Sequence, residues 1–413
     1  MQIQVLRLAL ALLGWLSICG NALAQGSISG QVRDSLTHES LAYASVFLAN
    51  TTRGASTDAN GRFLLPDVPA GHYDFIISYL GYKLYQRPVV VTSSALVMDA
   101  FLTKASHQLG EVVVRPRPNR PGDYWQFVRM FLGSTSFSRQ CRIRNPEAVL
   151  VDYDAATKVL TASGTTYVEV ENQALGYRIR YYGLRFRLDH QYQIVSFYGH
   201  PVFEELATRS ARRRKYWEAN RRQAYLGSVT HFLRSVHDDR VTEEGYLVQK
   251  VRHVRNPKWP RADSLLRVYD AAMRQHSTTL PFSDDSLEHW RKVPPMFSLL
   301  YTRPVLTDSL RKVQPDSGRV WLRFHDLIQV TYQREQPDPA YLAIKAKSAQ
   351  EASGASTARQ LETSLVYLLQ SRVEIQQNGQ LVNPLAILNE GYWGFEKIGE
   401  MLPFDYSPPK PAP

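Results

Sequence analysis

Between Ser27 and Thr103, apolar and polar residues alternate in short runs, the period-two pattern of strands that bury one face. Ile28 to Val32 and Ala44 to Leu48 are two such runs. Turn sequences separate the runs, and Asn60-Gly61 is typical of a tight hairpin because both residues tolerate positive φ angles. Short strands at this spacing predict a small antiparallel β-sandwich over residues 25–103.

The region after residue 123 combines strand-like and helical patterns. Alternation returns from Tyr177 to Phe186 and from Leu327 to Tyr332. Apolar residues that recur every three to four positions predict one long helix from Ala211 to Val236. The predicted fold class is therefore mainly β: a transthyretin-like or Ig-like sandwich, followed by a β-rich α+β domain over residues 123–406 with one long basic helix.

Three further segments are predicted to lie outside these domains. Residues 1–24 have the pattern of a secretory signal peptide: Arg7, an apolar run to Ile18, and Ala22-Leu23-Ala24 before the cleavage point. The apolar run is shorter than the ~20 residues of a spanning helix. Residues 104–122 form a Pro/Arg linker, and residues 407–413 form a disordered tail. We therefore expect an exported protein.

Charge and cysteine content narrow the function further. The formal net charge is +11, and removal of the leader lowers it by one because the leader holds Arg7 and no acid. Such a charge favours anionic partners, and export excludes nucleic acid as the expected one. Cleavage also removes Cys19 and leaves Cys141 as the single cysteine, so no internal disulfide is expected.

Four segments in order carry a family resemblance: Gly30–Asp34, Gly54–Phe63, Pro69–Tyr73 and Ser78–Tyr82. Together they resemble the carboxypeptidase-regulatory-like domain, which implies a transthyretin-like fold. They are similar to the N-terminal extensions of TonB-dependent outer-membrane receptors from Bacteroidetes-type bacteria. Leu109–Val114 resembles the segment that follows the domain in those receptors. Fewer than 300 residues remain after it, so transport by this chain is not expected.

Four segments of the C-terminal part carry a second resemblance: Ala174–Tyr177, Trp217–Arg222, Gly391–Trp393 and Met401–Tyr406. They are similar to the C-terminal region of proteins that carry the same N-terminal domain and have no established activity. This resemblance implies an architecture and no chemistry.

Motifs for catalysis are absent from the sequence. No histidine has a glutamate three residues later, no His-Glu-x-x-His occurs, and one mature cysteine cannot form a thiolate cluster. No Gly-x-Ser-x-Gly occurs either. We therefore predict no metal, no cofactor and no catalytic residue. Paired acids leave a hydrolase as the third alternative, and the pairs are Glu169 with Glu171, Glu204-Glu205, Asp238-Asp239 and Asp284-Asp285.

A basic run on the predicted helix supplies candidate ligand-binding residues. Guanidinium groups bind phosphates and carboxylates in a bidentate manner, and an exposed aromatic ring stacks on sugars. The alternative is a solvated helix face and aromatic residues packed in the core. The candidate residues are Arg212, Arg213, Arg214, Arg221, Arg222 and Trp393.

These observations lead to an ordered set of hypotheses. The first is a non-catalytic protein of the periplasm or outer membrane, in which the sandwich docks onto an envelope or outer-membrane protein. The second is a binding module for an anionic glycan or lipid such as lipopolysaccharide. The third is the acid-pair hydrolase.

Overall fold

The computed structural model describes residues 25–105, 120–274, 284–351 and 360–409. The predicted leader (1–24), most of the predicted linker and the last four residues of the predicted tail lie outside these ranges. The described residues form 22 strands, eight α-helices and four short 3₁₀ helices, so the predicted mainly β fold is confirmed.

The described residues group into two compact units. Unit 1 takes the described residues of Met1–Gly133, Phe137–Arg221 and Met401–Pro413. Unit 2 takes Ser134–Ser136 and the described residues of Arg222–Glu400. Unit 1 thus holds the predicted sandwich together with about one hundred residues assigned above to the following domain. The predicted domain boundaries stay a prediction.

The sandwich at the start of unit 1 consists of two sheets around one core. The sheets have the orders β4-β1-β7, with β8 also on β1, and β3-β2-β5-β6. β7 and β8 pair with β1 in parallel, whereas the prediction was wholly antiparallel. The strands are β1 (Gln25–Asp34), β2 (Ser45–Leu48), β3 (Gly54–Ser56), β4 (Arg62–Pro69), β5 (Gly71–Ser78), β6 (Tyr85–Val91), β7 (Ala95–Val97) and β8 (Ala100–Leu102).

The alternation read from the sequence places its apolar residues in the core of this sandwich. Ile28 and Val32 of β1 are fully buried and pack with Val46, Phe75 and Ile77 from the other sheet. The buried face of each strand therefore excludes water from one shared core, which supplies the main stabilisation of a sandwich.

The rest of unit 1 is a six-stranded antiparallel sheet with flanking helices. Its order is β10-β11-β13-β12-β9, and β14 pairs with β13. The short 3₁₀ helices Ser138–Gln140 and Pro146–Ala148 flank β9. The elements are α1 (Pro121–Leu132), β9 (Cys141–Ile143), β10 (Val149–Asp154), β11 (Val159–Gly164), β12 (Tyr167–Asn172), β13 (Tyr177–Asp189), β14 (Ile194–Glu205) and α2 (Ala211–Tyr225). The part of α2 from Arg222 onward is counted in unit 2.

Within unit 1, the sandwich packs directly on this sheet. The rings of Phe47 and Tyr182 lie 4.8 Å apart, and Ile76 is fully buried in the same cluster. The backbone N–H of Asn50 donates to the carbonyl oxygen of Pro201 at 2.6 Å. Removal of the sandwich would therefore expose apolar surface on the sheet.

The helix predicted over Ala211–Val236 is two helices. α2 ends at Tyr225, and α3 (Val229–His237) begins after three intervening residues. Gly227 has a φ of 77°, which a helix cannot continue through. The side chain of Ser228 then accepts the N–H of His231 and caps the N-terminus of α3. The prediction of one long helix was wrong because the apolar spacing continues across this break.

Unit 2 has a five-stranded antiparallel sheet of order β16-β15-β19-β20-β22 and a three-stranded sheet of order β17-β18-β21. The 3₁₀ helices are Pro384–Ala386 and Ile398–Glu400. The elements after α3 are β15 (Tyr246–Arg255), α4 (Trp259–Arg274), α5 (Asp284–Arg291), β16 (Met296–Pro304), α6 (Thr307–Leu310), β17 (Arg311–Val313), β18 (Val320–Leu322), β19 (Leu327–Tyr332), α7 (Pro339–Glu351), β20 (Glu362–Leu368), β21 (Val373–Ile375), β22 (Ile387–Gly391) and α8 (Tyr392–Phe395).

One core holds the two sheets of unit 2 and α3 together. Phe232 and Val236 of α3 are buried against Val248, Ile328 and Val330 of the larger sheet.

In the described part of the chain, no helix has both the length and the apolar character needed to cross a membrane.

Gly176 gives a direct test of packing in unit 1. It has a φ of 70°, and a Cβ there would lie 2.2 Å from the Trp217 ring. Gly81 has a similar φ of 83° with nothing within 4 Å, so it is the matched control. We expect Gly81→Ala to lower the free energy of unfolding by about 1–2 kcal/mol through backbone strain. Gly176→Ala should lower it by about 1–3 kcal/mol more through overpacking. Urea titration measures both, and equal losses would contradict the contact.

Candidate functional site

The arginines predicted as ligand-binding residues have two different environments. Arg212, Arg213 and Arg214 are exposed in the first turn of α2. Arg222 is exposed as well and belongs to unit 2. Arg221 is buried, with 8% of its surface exposed. The exposed arginines are accessible to an anion in solution, and Arg221 is not.

Arg221 and its neighbours on α2 bind the turn before β13. Trp217 Nε1 donates to the carbonyl oxygen of Gln173 (2.9 Å), and Asn220 Nδ2 donates to that of Ala174 (2.8 Å). Arg221 Nε donates to the carbonyl oxygen of Leu175 (2.7 Å), and its Nη2 donates to that of Gly176 (3.2 Å).

The same arginine makes two further contacts in unit 1. Its Nη1 lies 2.8 Å from Oε1 of Glu205, and its guanidinium carbon lies 3.9 Å from the centroid of the Tyr177 ring. Two segments singled out in the sequence, Ala174–Tyr177 and Trp217–Arg222, are therefore partners in one structural contact.

Trp393 is buried in the core of unit 2 and does not offer a ring to a ligand. Only 6% of its surface is exposed, and its Nε1 donates to the carbonyl oxygen of Gly227 at 2.7 Å. Its ring packs 5.4 Å from Phe232. This tryptophan stabilises the core, as the alternative interpretation of the aromatic residues expected.

The paired acids of unit 1 hold arginines across the sheet. Glu169 on β12 and Glu204 on β14 both pair with Arg178 and Arg180 on the strand between them, at 3.1–3.6 Å. Because cross-strand ion pairs account for these carboxylates, they do not form an open acid pair. The side chains of Asp284 and Asp285 lie outside the described part of the chain.

A cavity of about 600 Å³ in unit 2 was not predicted from the sequence. It lies where the larger sheet meets α6 and the three-stranded sheet. Gly318, with a φ of 67°, allows the hairpin that pairs Lys312 with Trp321 across β17 and β18. The lining residues are Lys250, Val305, Ser309, Leu310, Lys312, Trp321, Arg323, Phe324, His325, Ile328, Ser371 and Arg372.

The lining of this cavity is strongly basic. Lys250 is ion-paired, because its Nζ lies 3.0 Å from Oδ2 of Asp326, and the hydrogen bond from Lys250 lowers the pKa of Asp326. Among the described residues, no carboxylate lies within ion-pair distance of Lys312, Arg323 or Arg372. Three cations therefore face the same cavity without an acidic partner, an arrangement that attracts an anion.

Trp321 adds an unused donor beside these cations. Its Nε1 is buried and has no hydrogen-bond partner in the described residues. The guanidinium carbon of Arg372 lies 4.4 Å from the centroid of the Trp321 ring, which orients Arg372 at the edge of the cavity. A buried N–H donor without a hydrogen-bond partner destabilises the fold. Such donors are rare in folded proteins, and a bound ligand is one explanation for them.

A second polar cluster in unit 2 contains glutamates with raised pKa values. Burial, together with the charges of Glu335 and Glu400, raises the pKa of Glu362 to about 8. Burial raises the pKa values of Glu335 and Glu400 to about 7. One oxygen of Glu362 has no hydrogen-bond partner in the described chain and packs against Gly227. Tyr392 bonds the Glu362 carboxyl.

Glu362 is buried, Glu335 and Glu400 are half-buried, and the cluster does not line the cavity. Glu362 is 5% exposed, and the cavity lining includes none of these three glutamates. In the described residues, no group of three or more His, Cys, Asp or Glu side chains is arranged to hold a metal. The raised pKa values of these carboxyls make the stability of the fold depend on pH, and the basic cavity is the candidate ligand site.

The N-terminal region matches the model of a known domain family. Residues 28–114 match the CarboxypepD_reg-like domain, which confirms the predicted carboxypeptidase-regulatory-like domain. No curated protein matches the sequence.

Several solved structures resemble parts of the chain. The group B streptococcus pilus 2b backbone protein is 18% identical, with coverage of 20% of this chain and 42% of that one and a TM-score of 0.18. The 3-chlorocatechol 1,2-dioxygenase from Rhodococcus opacus 1CP is 15% identical, with coverage of 20% and 60% and a TM-score of 0.16. The type II cohesin–X-dockerin complex from Acetivibrio cellulolyticus is 20% identical, with coverage of 27% and 76% and a TM-score of 0.18. These partial similarities carry no functional information.

Glu362 generates a prediction about pH. Its pKa is raised from an ordinary 4.5 to about 8, so the folded state binds this proton more tightly than the unfolded state. The stability that it contributes is complete below about pH 4.5 and is lost as the pH rises toward 8. Glu362→Gln keeps the shape of the protonated acid. We expect it to raise the melting temperature of unit 2 at pH 8 by several degrees and to change it little at pH 5.

Calorimetry at pH 5, 6.5 and 8 measures this difference. The exposed Glu390 lies on the neighbouring strand, so Glu390→Gln is the control and should leave the pH dependence unchanged. A Glu362→Gln variant that melts in parallel with the wild type at every pH would show that this carboxyl is ionised in the fold.

Proposed function

We propose that this protein is a non-catalytic binding protein of the cell envelope that recognises an anionic ligand in the basic cavity of unit 2. The ligand class is a phosphorylated or carboxylated glycan or head group. The observation that carries the proposal is the set of three cations, Lys312, Arg323 and Arg372, that face one cavity without a carboxylate partner among the described residues.

The chemistry of the lining supports this ligand class. Arginine guanidinium groups bind phosphate or carboxylate through two parallel hydrogen bonds, and lysine adds a compact charge. Ser309 and Ser371 supply hydroxyl groups for a sugar or a phosphate oxygen. A cavity of about 600 Å³ is in the size range of small-molecule sites.

The proposed binding site is the cavity of unit 2 and not the basic run on α2 that was predicted from the sequence. The exposed arginines of α2 lie on a convex helical surface, where ion contacts are weak and screened by salt. Concave lining allows several cations to contact one ligand at once. The cavity therefore suits an anion better than α2 does.

Tryptophan indole resonances can test the proposal by NMR. Addition of inorganic phosphate or glucose 1-phosphate should shift the Trp321 indole N–H signal, because Trp321 lines the cavity and its N–H has no partner in the described residues. The Trp393 indole N–H already donates to Gly227 and should not move. Arg372→Lys keeps the charge and loses the bidentate contact, so we expect about a fivefold weaker affinity.

Two comparisons make this test specific. Arg214→Lys on α2 should leave the affinity unchanged, because that arginine is exposed on another unit. Added sodium chloride should weaken binding, as expected of an ionic contact. If neither ligand shifts the Trp321 indole N–H signal, the proposed function of the cavity is wrong. It is also wrong if Arg214→Lys lowers the affinity as much as Arg372→Lys does.

A second function, docking onto an envelope protein, is proposed for the sandwich. The match over residues 28–114 supports it, as does the exposure of large apolar side chains on the sandwich surface. Leu80 is 91% exposed, within the Ser78–Tyr82 segment of the family resemblance. We place this docking in the periplasm or at the outer membrane, since the sequence predicts an exported chain.

Point substitution is a cleaner test of docking than deletion, because the sandwich packs on the neighbouring sheet of unit 1. We expect Leu80→Ser to reduce, by about fivefold, the crosslinking of the protein to one envelope partner in its native host, since burial of a leucine side chain in an interface removes apolar surface from water. Tyr192→Ser, an exposed aromatic outside the sandwich, should leave that yield unchanged. Mass spectrometry quantifies the crosslinked species, and an unchanged yield for Leu80→Ser rules out docking through this segment.

A further inference from the structure

β16 is an edge strand with an unusual surface. All nine of its residues are exposed, although the strand reads Met-Phe-Ser-Leu-Leu-Tyr-Thr-Arg-Pro. Met296, Phe297, Leu299, Leu300 and Tyr301 each leave 44–50% of their surface open. Edge strands normally carry charges or other devices that prevent association, and a long apolar edge marks an interaction surface.

Basic side chains of the neighbouring strand, β15, lie beside the apolar side chains of β16. β15 pairs with β16, and the two strands together contain no acid and four basic residues: Lys250, which pairs with Asp326, and Arg252, Arg255 and Arg303. Arg252 and Arg255 are exposed and lie opposite Leu299 and Met296 in the register. Apolar side chains bordered by cations fit a surface that presents negative head groups above hydrocarbon.

The strand is continuous with the basic cavity. Val305, directly after β16, lines the cavity. Lys250 belongs to both surfaces, because it lines the cavity and its Nζ lies 6.0 Å from the centroid of the Tyr301 ring. One ligand can therefore contact the cations of the cavity and the side chains of β16 at the same time.

We propose that the anion recognised in the cavity is the phosphate head group of a lipid in a membrane, and that β16 rests on the surface of that membrane. This inference rests on the proposed function and names its ligand class. Among the described residues, no strand pairs with the outer edge of β16, and unpaired backbone N–H and C=O groups are not tolerated in hydrocarbon. The strand therefore stays at head-group depth, where water satisfies its backbone and where Tyr301 is suited to lie.

Vesicle sedimentation with the full chain tests the inference. The wild type should bind phosphatidylcholine vesicles that contain phosphatidylglycerol and should bind pure phosphatidylcholine vesicles only weakly, because the surface is cationic. A double variant, Leu299→Ser with Leu300→Ser, should bind the anionic vesicles about tenfold more weakly, since it loses apolar contact. Its affinity for inorganic phosphate should remain at the wild-type value. Arg372→Lys should weaken both kinds of binding.

The control removes charge elsewhere. A triple variant, Arg212→Ala with Arg213→Ala and Arg214→Ala, loses three cations from α2 and should change vesicle binding by no more than about twofold. Circular dichroism and melting temperature confirm that each variant is folded before binding is measured.

Each outcome of the test supports or overturns one statement. If the double leucine variant binds anionic vesicles like the wild type, the membrane inference is wrong, whereas phosphate binding that depends on Arg372 would leave the proposed function intact. If neither vesicles nor phosphate binds, the proposed function fails as well. If sedimentation velocity shows a dimer that the double variant abolishes, β16 pairs with a second copy, and the inference is overturned.

Discussion

Four successive carbonyl oxygens, from Gln173 to Gly176, accept hydrogen bonds from one face of α2. An unsatisfied buried carbonyl costs ~1–3 kcal/mol, so the turn requires donors at the spacing that Trp217, Asn220 and Arg221 provide on a helix. Gly176 has no side chain to separate the turn from the Trp217 ring. This contact fixes which side of α2 faces the sheet, and the other arginines of its first turn are exposed as a result.

The same contact explains why a basic run in the sequence was a poor guide to a binding site. The same helix carries Arg212 to Arg214 and Arg221, yet these arginines differ in role. Arg221 lies on the buried side of the helix, and Arg212 to Arg214 are exposed. A count of charges does not distinguish a guanidinium that satisfies a turn from one that is open to a ligand. Trp393 shows the same limit for aromatic residues, since its burial depends on contacts with α3.

Local patterns predicted most of the strands and few of the features that define the site. Leu327 to Tyr332 was predicted as a strand and is β19 with those bounds, because alternation and β-branched residues are local signals. β16 was missed because its apolar run does not alternate, although prolines bound it on both sides. The cavity joins residues from Lys250 to Arg372, and only the pairing of distant strands brings them together. The short apolar run Val320-Trp321-Leu322 between two arginines is a local signal for one strand of its lining.

Protonation of the buried glutamates connects stability and charge in unit 2. The formal charge of +11 counts every carboxylate as ionised, yet the pKa values of Glu335 and Glu400 are about 7 and that of Glu362 is about 8. Near neutral pH these groups therefore carry less negative charge than the sequence indicates. A fall in pH protonates them further, which strengthens the fold and makes unit 2 more positive at the same time. Since salt screens charges beyond ~8 Å, the cations that line the cavity dominate the attraction of an anion, and the buried carboxyls adjust it. A fall in pH therefore stabilises unit 2 and also favours the binding of an anionic ligand.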